Sequence, residues 1–149
     1  MFVWQLYVVP GFILSGGYLS LSSRNKVELY NPSSGNSCSL QNLQEERFGH
    51  SSCGDLICGG TKIESIGRSC EKITGTEVSP LPSLTLRQLR YGHLCWTLPR
   101  PSSGRSQIML LGGKYSPTTT EIVSGSSSTE GFTLPYRTRH KYMINNYHH

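Results

Sequence analysis

The chain of 149 residues is sparse in charge, at 15% Asp, Glu, Lys and Arg, and carries 16 Gly and 8 Pro beside many Ser and Thr. Such a mixture favours turn-rich β structure over helix, and the length suffices for one ordinary domain. The formal charge of +5 is scattered, much of it late (Arg100, Arg105, Lys114, Arg137, Arg139, Lys141). Without a basic run or interleaved aromatics it argues against nucleic acid as a partner, and no apolar window approaches a membrane span.

In chain order, Met1 to Leu14 is apolar but interrupted by Gln5 and Pro10 and lacks a basic start, so it reads as strand rather than targeting segment. It runs into Phe12-Ile-Leu-Ser-Gly16-Gly17. The same phrase returns as Leu56-Ile-Cys-Gly59-Gly60 and Ile108-Met-Leu-Leu-Gly112-Gly113. An apolar run closed by two glycines is a buried strand ending where the backbone needs positive φ or close approach.

Shifted by 43 residues, Gly16 and Gly17 fall on Gly59 and Gly60, and Glu28 falls on Glu71. The same shift lays Arg47, Gly49 and His50 on Arg90, Gly92 and His93. A looser third copy continues with Glu121 and then Arg137-x-x-His140. About ten extra residues around Pro99–Arg105 read as a lengthened hairpin loop.

Each copy parses into four short strands. The first follows Arg-x-x-His (His50–Cys53, Tyr91–Thr97, Lys141–Ile144), and the second is the apolar run into Gly-Gly. The third carries the glutamate (Lys26–Tyr30, Ser69–Ile73, Thr119–Val123), and the fourth is weaker (Ser37–Leu40, Glu77–Leu81, Gly131–Leu134). Asn31-Pro-Ser-Ser-Gly35 and Ser124–Ser128 are turn signals. The best helical candidate, Leu40 to Phe48, is short and has no clear apolar stripe.

Four strands in roughly 45 to 50 residues, the second closed by Gly-Gly, is the pattern of a propeller blade. On its three Gly-Gly pairs, the stretch Val27-Glu28-Leu-Tyr30-Asn-Pro32 and its three Arg-x-x-His elements, the chain resembles the kelch-repeat family. Tyr30 keeps the aromatic expected at the end of the third strand, whereas Ile73 and Val123 replace it elsewhere. Cys38, Leu81 and Phe132 stand near the expected tryptophans.

The resemblance implies an all-β fold, a partial kelch-type β-propeller of about three four-stranded antiparallel blades. Residues 1–149 form the repeat region, with copies at about 1–46, 47–89 and 90–136 and the start of a further blade at 137–149. Propellers of this kind close with six or seven blades, so three leave two open faces. If each exposes several hundred Å², the forgone burial is on the order of 10 kcal/mol per face at ~25 cal/mol/Å². The expectation is a fragment, or a chain completed by further blades or by self-association.

Charges recurring once per copy (Glu28, Glu71, Glu121; Arg47, Arg90, Arg137) read as scaffold rather than as a ligand ring. His50, His93 and His140 are spread over three copies and have no neighbouring ligand at metal spacing. No Gly-x-Ser-x-Gly elbow or local Cys–His pair suggests a nucleophile. The relationship of kelch propellers to galactose oxidase raises an oxidase, but no Tyr, Cys and His set converges. The reading is therefore non-catalytic, with no metal and no cofactor.

Five cysteines without a C-x-x-C pair leave the redox compartment open. Cys58 and Cys70 fall on neighbouring strands, so a disulfide and buried free thiols are both admissible. The absence of an Asn-x-Ser/Thr acceptor slightly favours an intracellular setting. The functional expectation is a protein-binding module acting through loops that do not repeat. By resemblance these are Tyr18–Asn25, Thr61–Arg68 and Lys114–Thr118, with Gln41–Glu46, Pro82–Gln88 and Pro135–Thr138. A secreted glycan- or matrix-binding propeller is the rival.

Overall fold

The computed structural model describes residues 12–19, 22–23, 25–62, 65–99 and 106–136. Among these every regular element is a strand: β1 (Phe12–Ser15), β2 (Tyr18–Leu19), β3 (Ser22–Ser23), β4 (Val27–Asn31), β5 (Asn36–Ser39), β6 (Ser51–Cys53), β7 (Leu56–Cys58), β8 (Thr61–Lys62), β9 (Ser65–Ile66), β10 (Ser69–Thr74), β11 (Glu77–Thr85), β12 (Leu94–Leu98), β13 (Gln107–Leu111), β14 (Thr119–Ser124) and β15 (Ser127–Thr133). They form three antiparallel sheets in chain order. Sheet one is β1-β4-β5, sheet two β6-β7-β10-β11 and sheet three β12-β13-β14-β15. Two-stranded hairpins, β2-β3 and β8-β9, project from the connections that follow Gly-Gly in sheets one and two.

Short period-2 strands joined by tight turns dictate this meander. The turns Gly54-Asp55, Gly75-Thr76 and Gly125-Ser126 are two residues long, the commonest hairpin connection. Asn31 caps the longer β4-β5 loop, its Oδ1 accepting the Ser33 amide at 2.9 Å and the Ser34 amide at 3.4 Å. The β12-β13 hairpin, with Leu98 paired to Gln107, carries the inserted loop, of which residues 100–105 lie outside the described part. So do residues 1–11 and the expected strand Lys141–Ile144.

Beyond one-residue shifts at β4, β5, β10 and β14, strand bounds depart from expectation at β12, β6, β11 and β15. β12 begins at Leu94 rather than Tyr91, because Gly92 sits at φ 60° and a left-handed residue does not fit an extended ladder. β6 likewise begins at Ser51, after Gly49 at φ 64°. β11 runs to Thr85 through Pro80 and Pro82; it is the edge of sheet two, where proline need not donate to a neighbour. β15 begins at Ser127, because the expected five-residue turn is only two residues long. Leu40 to Phe48 is an irregular linker.

The core lies between sheets. One cluster joins Val27 of sheet one and Leu43 of the linker to Ile57, Ile73 and Val78 of sheet two. A second joins the opposite face of sheet two (Cys53, Cys58, Cys70) and Leu84 and Leu86 to Ile108, Leu110 and Val123 of sheet three. Alternation along each strand thus gives sheet two two buried faces. The outward faces of sheets one and three carry the exposed Leu14 and Trp96.

Two disulfides reinforce the second cluster. Cys58 and Cys70, directly opposed on β7 and β10, are bonded to each other, and Cys53 of β6 is bonded to Cys95 of β12 across the two sheets. Cys38 is free and exposed.

Candidate functional site

The most developed polar constellation is a staple, built twice. The linker into sheet two ends in Arg47-Phe-Gly-His50 and the linker into sheet three in Arg90-Tyr-Gly-His93. Arg90 and Glu121 are almost wholly buried, and the Arg90 Nε donates to Glu121 at 2.7 Å. Arg90 Nη1 donates to the carbonyls of Gly112 (2.7 Å) and Thr119 (3.1 Å), and Nη2 to the Thr119 hydroxyl (3.0 Å). Arg47 repeats this against sheet two. It donates to the Gly59 carbonyl at 2.8 Å, to the carbonyl and hydroxyl of Ser69, and to Glu71 at 2.8 Å.

The glutamates also hold the linker backbone. Glu71 accepts the amides of Gln44 (2.7 Å) and Glu45 (3.3 Å), and Glu121 accepts those of Arg87 (2.5 Å) and Gln88 (3.4 Å) and the Ser128 hydroxyl. A buried carboxylate is tolerable only with such complete satisfaction.

Each histidine reaches the other way, to the preceding sheet. His50 Nε2 lies 3.0 Å from the Ser15 hydroxyl and His93 Nε2 2.6 Å from the Ser51 hydroxyl. Their rings lie against Gly16 and Gly59. A Cβ on Gly16 would overlap the Arg47 carbonyl, and one on Gly59 would stand 2.9 Å from both the Arg90 carbonyl and the His93 ring. These glycines are required by close approach as well as by φ. Gly17 and Gly60 then donate to the carbonyls of Arg47 and Arg90, both at 2.9 Å.

Burial and the neighbouring guanidinium hold both histidines neutral. The His50 pKa is lowered to about 4 by desolvation and then by the Arg47 guanidinium, partly offset by the nearby Arg47 backbone. That of His93 is lowered to about 3 by desolvation, Arg90 and His50. Neither Nδ1 has a partner among the described residues. Consecutive linkers touch side by side. Phe48 and Tyr91 meet edge-to-face at 5.6 Å, and the Gly92 amide donates to the Gly49 carbonyl at 2.7 Å.

These contacts give Arg47, His50, Gly59, Gly60, Glu71, Arg90, His93, Gly112 and Glu121 structural partners, and Gly16 and Gly17 pack against the first staple. Gly113 is buried against the Tyr91 backbone. Glu28 and Tyr30 are half-buried on the outer face of sheet one, and no hydrogen bond of the Glu28 side chain is found among the described residues. Arg137 and His140 lie outside them. Among the described residues no group of three or more His, Cys, Asp or Glu could hold a metal ion, and no helix is long and apolar enough to cross a membrane.

The segments expected to bind fall into two kinds. Gln41–Glu46 is anchored: Leu43 is buried, Gln41 Oε1 accepts the Val78 amide at 3.0 Å, and Glu71 takes the two amides above. Pro82–Gln88 is no loop, since it holds the end of β11 and the buried Leu84 and Leu86. Of Pro135–Thr138 only Pro135 and Tyr136 are described, both exposed.

The segments after Gly-Gly are pinned at their bases, by the amides and carbonyls that Phe48 and Thr61 exchange and by the buried Ser116, whose hydroxyl donates to the Leu89 carbonyl at 3.2 Å. They present the hairpins β2-β3 and β8-β9 and, in sheet three, the turn Lys114–Thr118, where the exposed Lys114 ammonium lies 5.5 Å from the centroid of the exposed Tyr115 ring. A separate cleft of about 670 Å³ opens between sheets two and three, walled by Leu56, Leu81, Ile108 and Val123. Asp55 and Lys72 pair at 3.3 Å on its rim. Among the described residues no hydroxyl or thiol in its lining is hydrogen-bonded to a base.

The arginines, glutamates, histidines and glycines of the two staples are among the residues that sequence repetition singles out; Ser15, Ser51, Ser69, Thr119 and Glu45 are not. The Cys53–Cys95 bond was missed, although a signal existed. Its separation of 42 is one short of the 43-residue repeat. In equivalent strands a one-residue offset places two side chains on opposite faces, and neighbouring sheets look at each other through opposite faces. Compared with known protein families and with curated proteins, the chain matches none.

Proposed function

We propose that the chain is part of a kelch-type β-propeller acting as a non-catalytic protein-binding module, its recognition surface formed by the segments that follow each Gly-Gly. The observation that carries this reading is the two-way staple. Each linker reaches back to the preceding sheet through histidine and forward into the next through arginine, and successive linkers lie side by side. That is the arrangement radial sheets need around a common axis. Buried, paired charges belong to such a scaffold, which leaves recognition to Tyr18–Asn25, Thr61–Arg68 and Lys114–Thr118.

The test exchanges Thr61–Arg68 and, separately, Lys114-Tyr115 for Gly-Ser sequence and compares proteins captured by each variant with those captured by the wild type. Selective loss of the same partners, with an unchanged melting temperature, is the expected result. Partners retained by both variants would place recognition elsewhere.

The two disulfides favour a second reading, a secreted glycan- or matrix-binding propeller, because such bonds persist in oxidising compartments. Glycan-array binding abolished by the same exchanges would select it.

A further inference from the structure

The two disulfides sit in different surroundings. Cys58 and Cys70 face each other on β7 and β10, the two central strands of sheet two, and are 0% and 1% exposed. Cys53 and Cys95 lie on β6 and β12, edge strands of sheets two and three that approach each other. Cys53 is 9% exposed and lines the cleft of about 670 Å³ between those sheets, and Cys95 is half-buried.

Edge strands are held from one side only. The three-residue β6 pairs with β7 alone and β12 with β13 alone, so a small displacement of either bares its sulfur. Reaching Cys58 or Cys70 requires two ladders in the middle of a sheet to part.

The bonds also differ in what they hold. Cys58–Cys70 joins strands that are already paired, and its loss leaves their backbone ladder in place. Cys53–Cys95 joins sheets of which no strand of one pairs with a strand of the other. Apart from that bond they meet through the apolar cluster and through linker contacts such as Ser51 with His93 and the Gly60 amide with the Arg90 carbonyl.

We propose that Cys53–Cys95 is a redox-sensitive tether: a dithiol reductant opens it in the folded protein while Cys58–Cys70 stays closed, and its opening loosens sheet three from sheet two. A thiolate of the dithiol attacks one sulfur of the bond, and the other sulfur leaves as a thiolate that takes a proton from water. The second thiolate of the reductant then attacks the mixed disulfide and releases the second protein sulfur, which is protonated likewise. The dithiol loses two electrons and closes into a cyclic disulfide; the protein gains them as two thiols, and the same couple run backwards recloses the bond. Exchange of this kind depends on access to the sulfur, which is what separates this bond from the one inside sheet two. Once it is open, the closure spanning 42 residues no longer restrains sheet three, and the cleft walls formed by Leu56, Leu81, Ile108 and Val123 are free to part.

The test is a titration of the full chain, under native conditions, with reduced and oxidised dithiothreitol mixed in known ratio. Cys38, free and exposed, is first blocked with N-ethylmaleimide. Thiols freed by the couple are trapped with an isotopically distinct maleimide and assigned by mass spectrometry. Cys53 and Cys95 are expected to label together at a reductant excess at least about tenfold below the one that frees Cys58 and Cys70. At that excess the β13 amides should exchange faster, by as much as about a thousandfold if the whole loop-closure contribution is lost. The β10 amides should stay protected, and removal of the reductant should restore the slow rates. C53S/C95S should show the fast β13 rate from the start and ignore the reductant up to the dose that opens Cys58–Cys70; the titration of the unaltered chain stands whether or not this variant folds. Release of all four thiols at one ratio, release of Cys58 and Cys70 first, or β13 exchange indifferent to reduction overturns the proposal. So does finding Cys53 and Cys95 free before any reductant is added. Because the experiment reads thiol state and amide exchange, the loop exchanges that test partner recognition succeed or fail independently of it.

Discussion

Arg90 and Glu121 show why these residues are scaffold. Both are almost wholly buried, and every described polar contact of the guanidinium goes to sheet three. Removing one partner leaves an uncompensated buried charge, which costs about 3–5 kcal/mol, whereas replacing both with apolar groups is often near neutral. R90A is therefore expected to lower the urea midpoint sharply, and R90M/E121L to recover only part of the loss, because the Arg87 and Gln88 amides and the Ser128 hydroxyl lose their acceptor. The Arg47 staple is weaker: its Nε has no partner among the described residues, and its added contact to Glu45 is half exposed and contributes little. R47A should thus cost less than R90A. Equal losses, or a double variant as unstable as R90A, would contradict this account of the staple.

The linkers, as elements, are held by neutral histidines, and this makes them sensitive to acid. In the unfolded chain both histidines titrate near 6.5; in the fold they do so at about 4 and about 3. Below pH 6.5 the unfolded state binds more protons, so stability rises with pH across that window and falls as pH drops toward the folded values. Between pH 7 and 5, above the ordinary carboxylate range, the slope approaches about 1.4 kcal/mol per pH unit for each histidine. H93Q, which can keep the hydrogen bond to Ser51, should flatten a melting-temperature profile measured over that range; an unaltered slope would sink the assignment. These linkers were legible in the sequence because each sheet demands the same contacts, so Gly-Gly, Glu and Arg-x-x-His recur at one spacing. Other features were not legible because they depend on neighbours. The expected strand stops at Leu81 and a loop begins at Pro82 until β11 is known to be an edge that runs to Thr85, and Tyr91 looks like strand until Gly92 is seen at positive φ. Gln41–Glu46 resembles a free loop until Glu71 is found holding its amides.

At the scale of the whole molecule each sheet touches only its neighbours, so stability is close to a sum of sheet terms and interface terms. The two interfaces differ. Sheets one and two meet through the Val27, Leu43 and Ile57 cluster and the Arg47–His50 staple, with no covalent link among the described residues. Sheets two and three share the larger cluster, the better-satisfied Arg90 staple and the Cys53–Cys95 bond. A cross-link closing 42 residues stabilises by about 4 kcal/mol on the chain-entropy estimate, against about 3 kcal/mol for the shorter Cys58–Cys70 loop. Opening should therefore be graded rather than uniform. In hydrogen exchange under oxidising conditions the amides of β4 are expected to exchange before those of β10 and β13, which open together. C53A/C95A removes the link and should bring the protection of β13 down toward that of β4 while leaving that of β10, buried on both faces, the highest of the three. Protection that is uniform across the three sheets, or unchanged in C53A/C95A, would mean that the array opens as one cooperative unit and that the inter-sheet bond does not set the order.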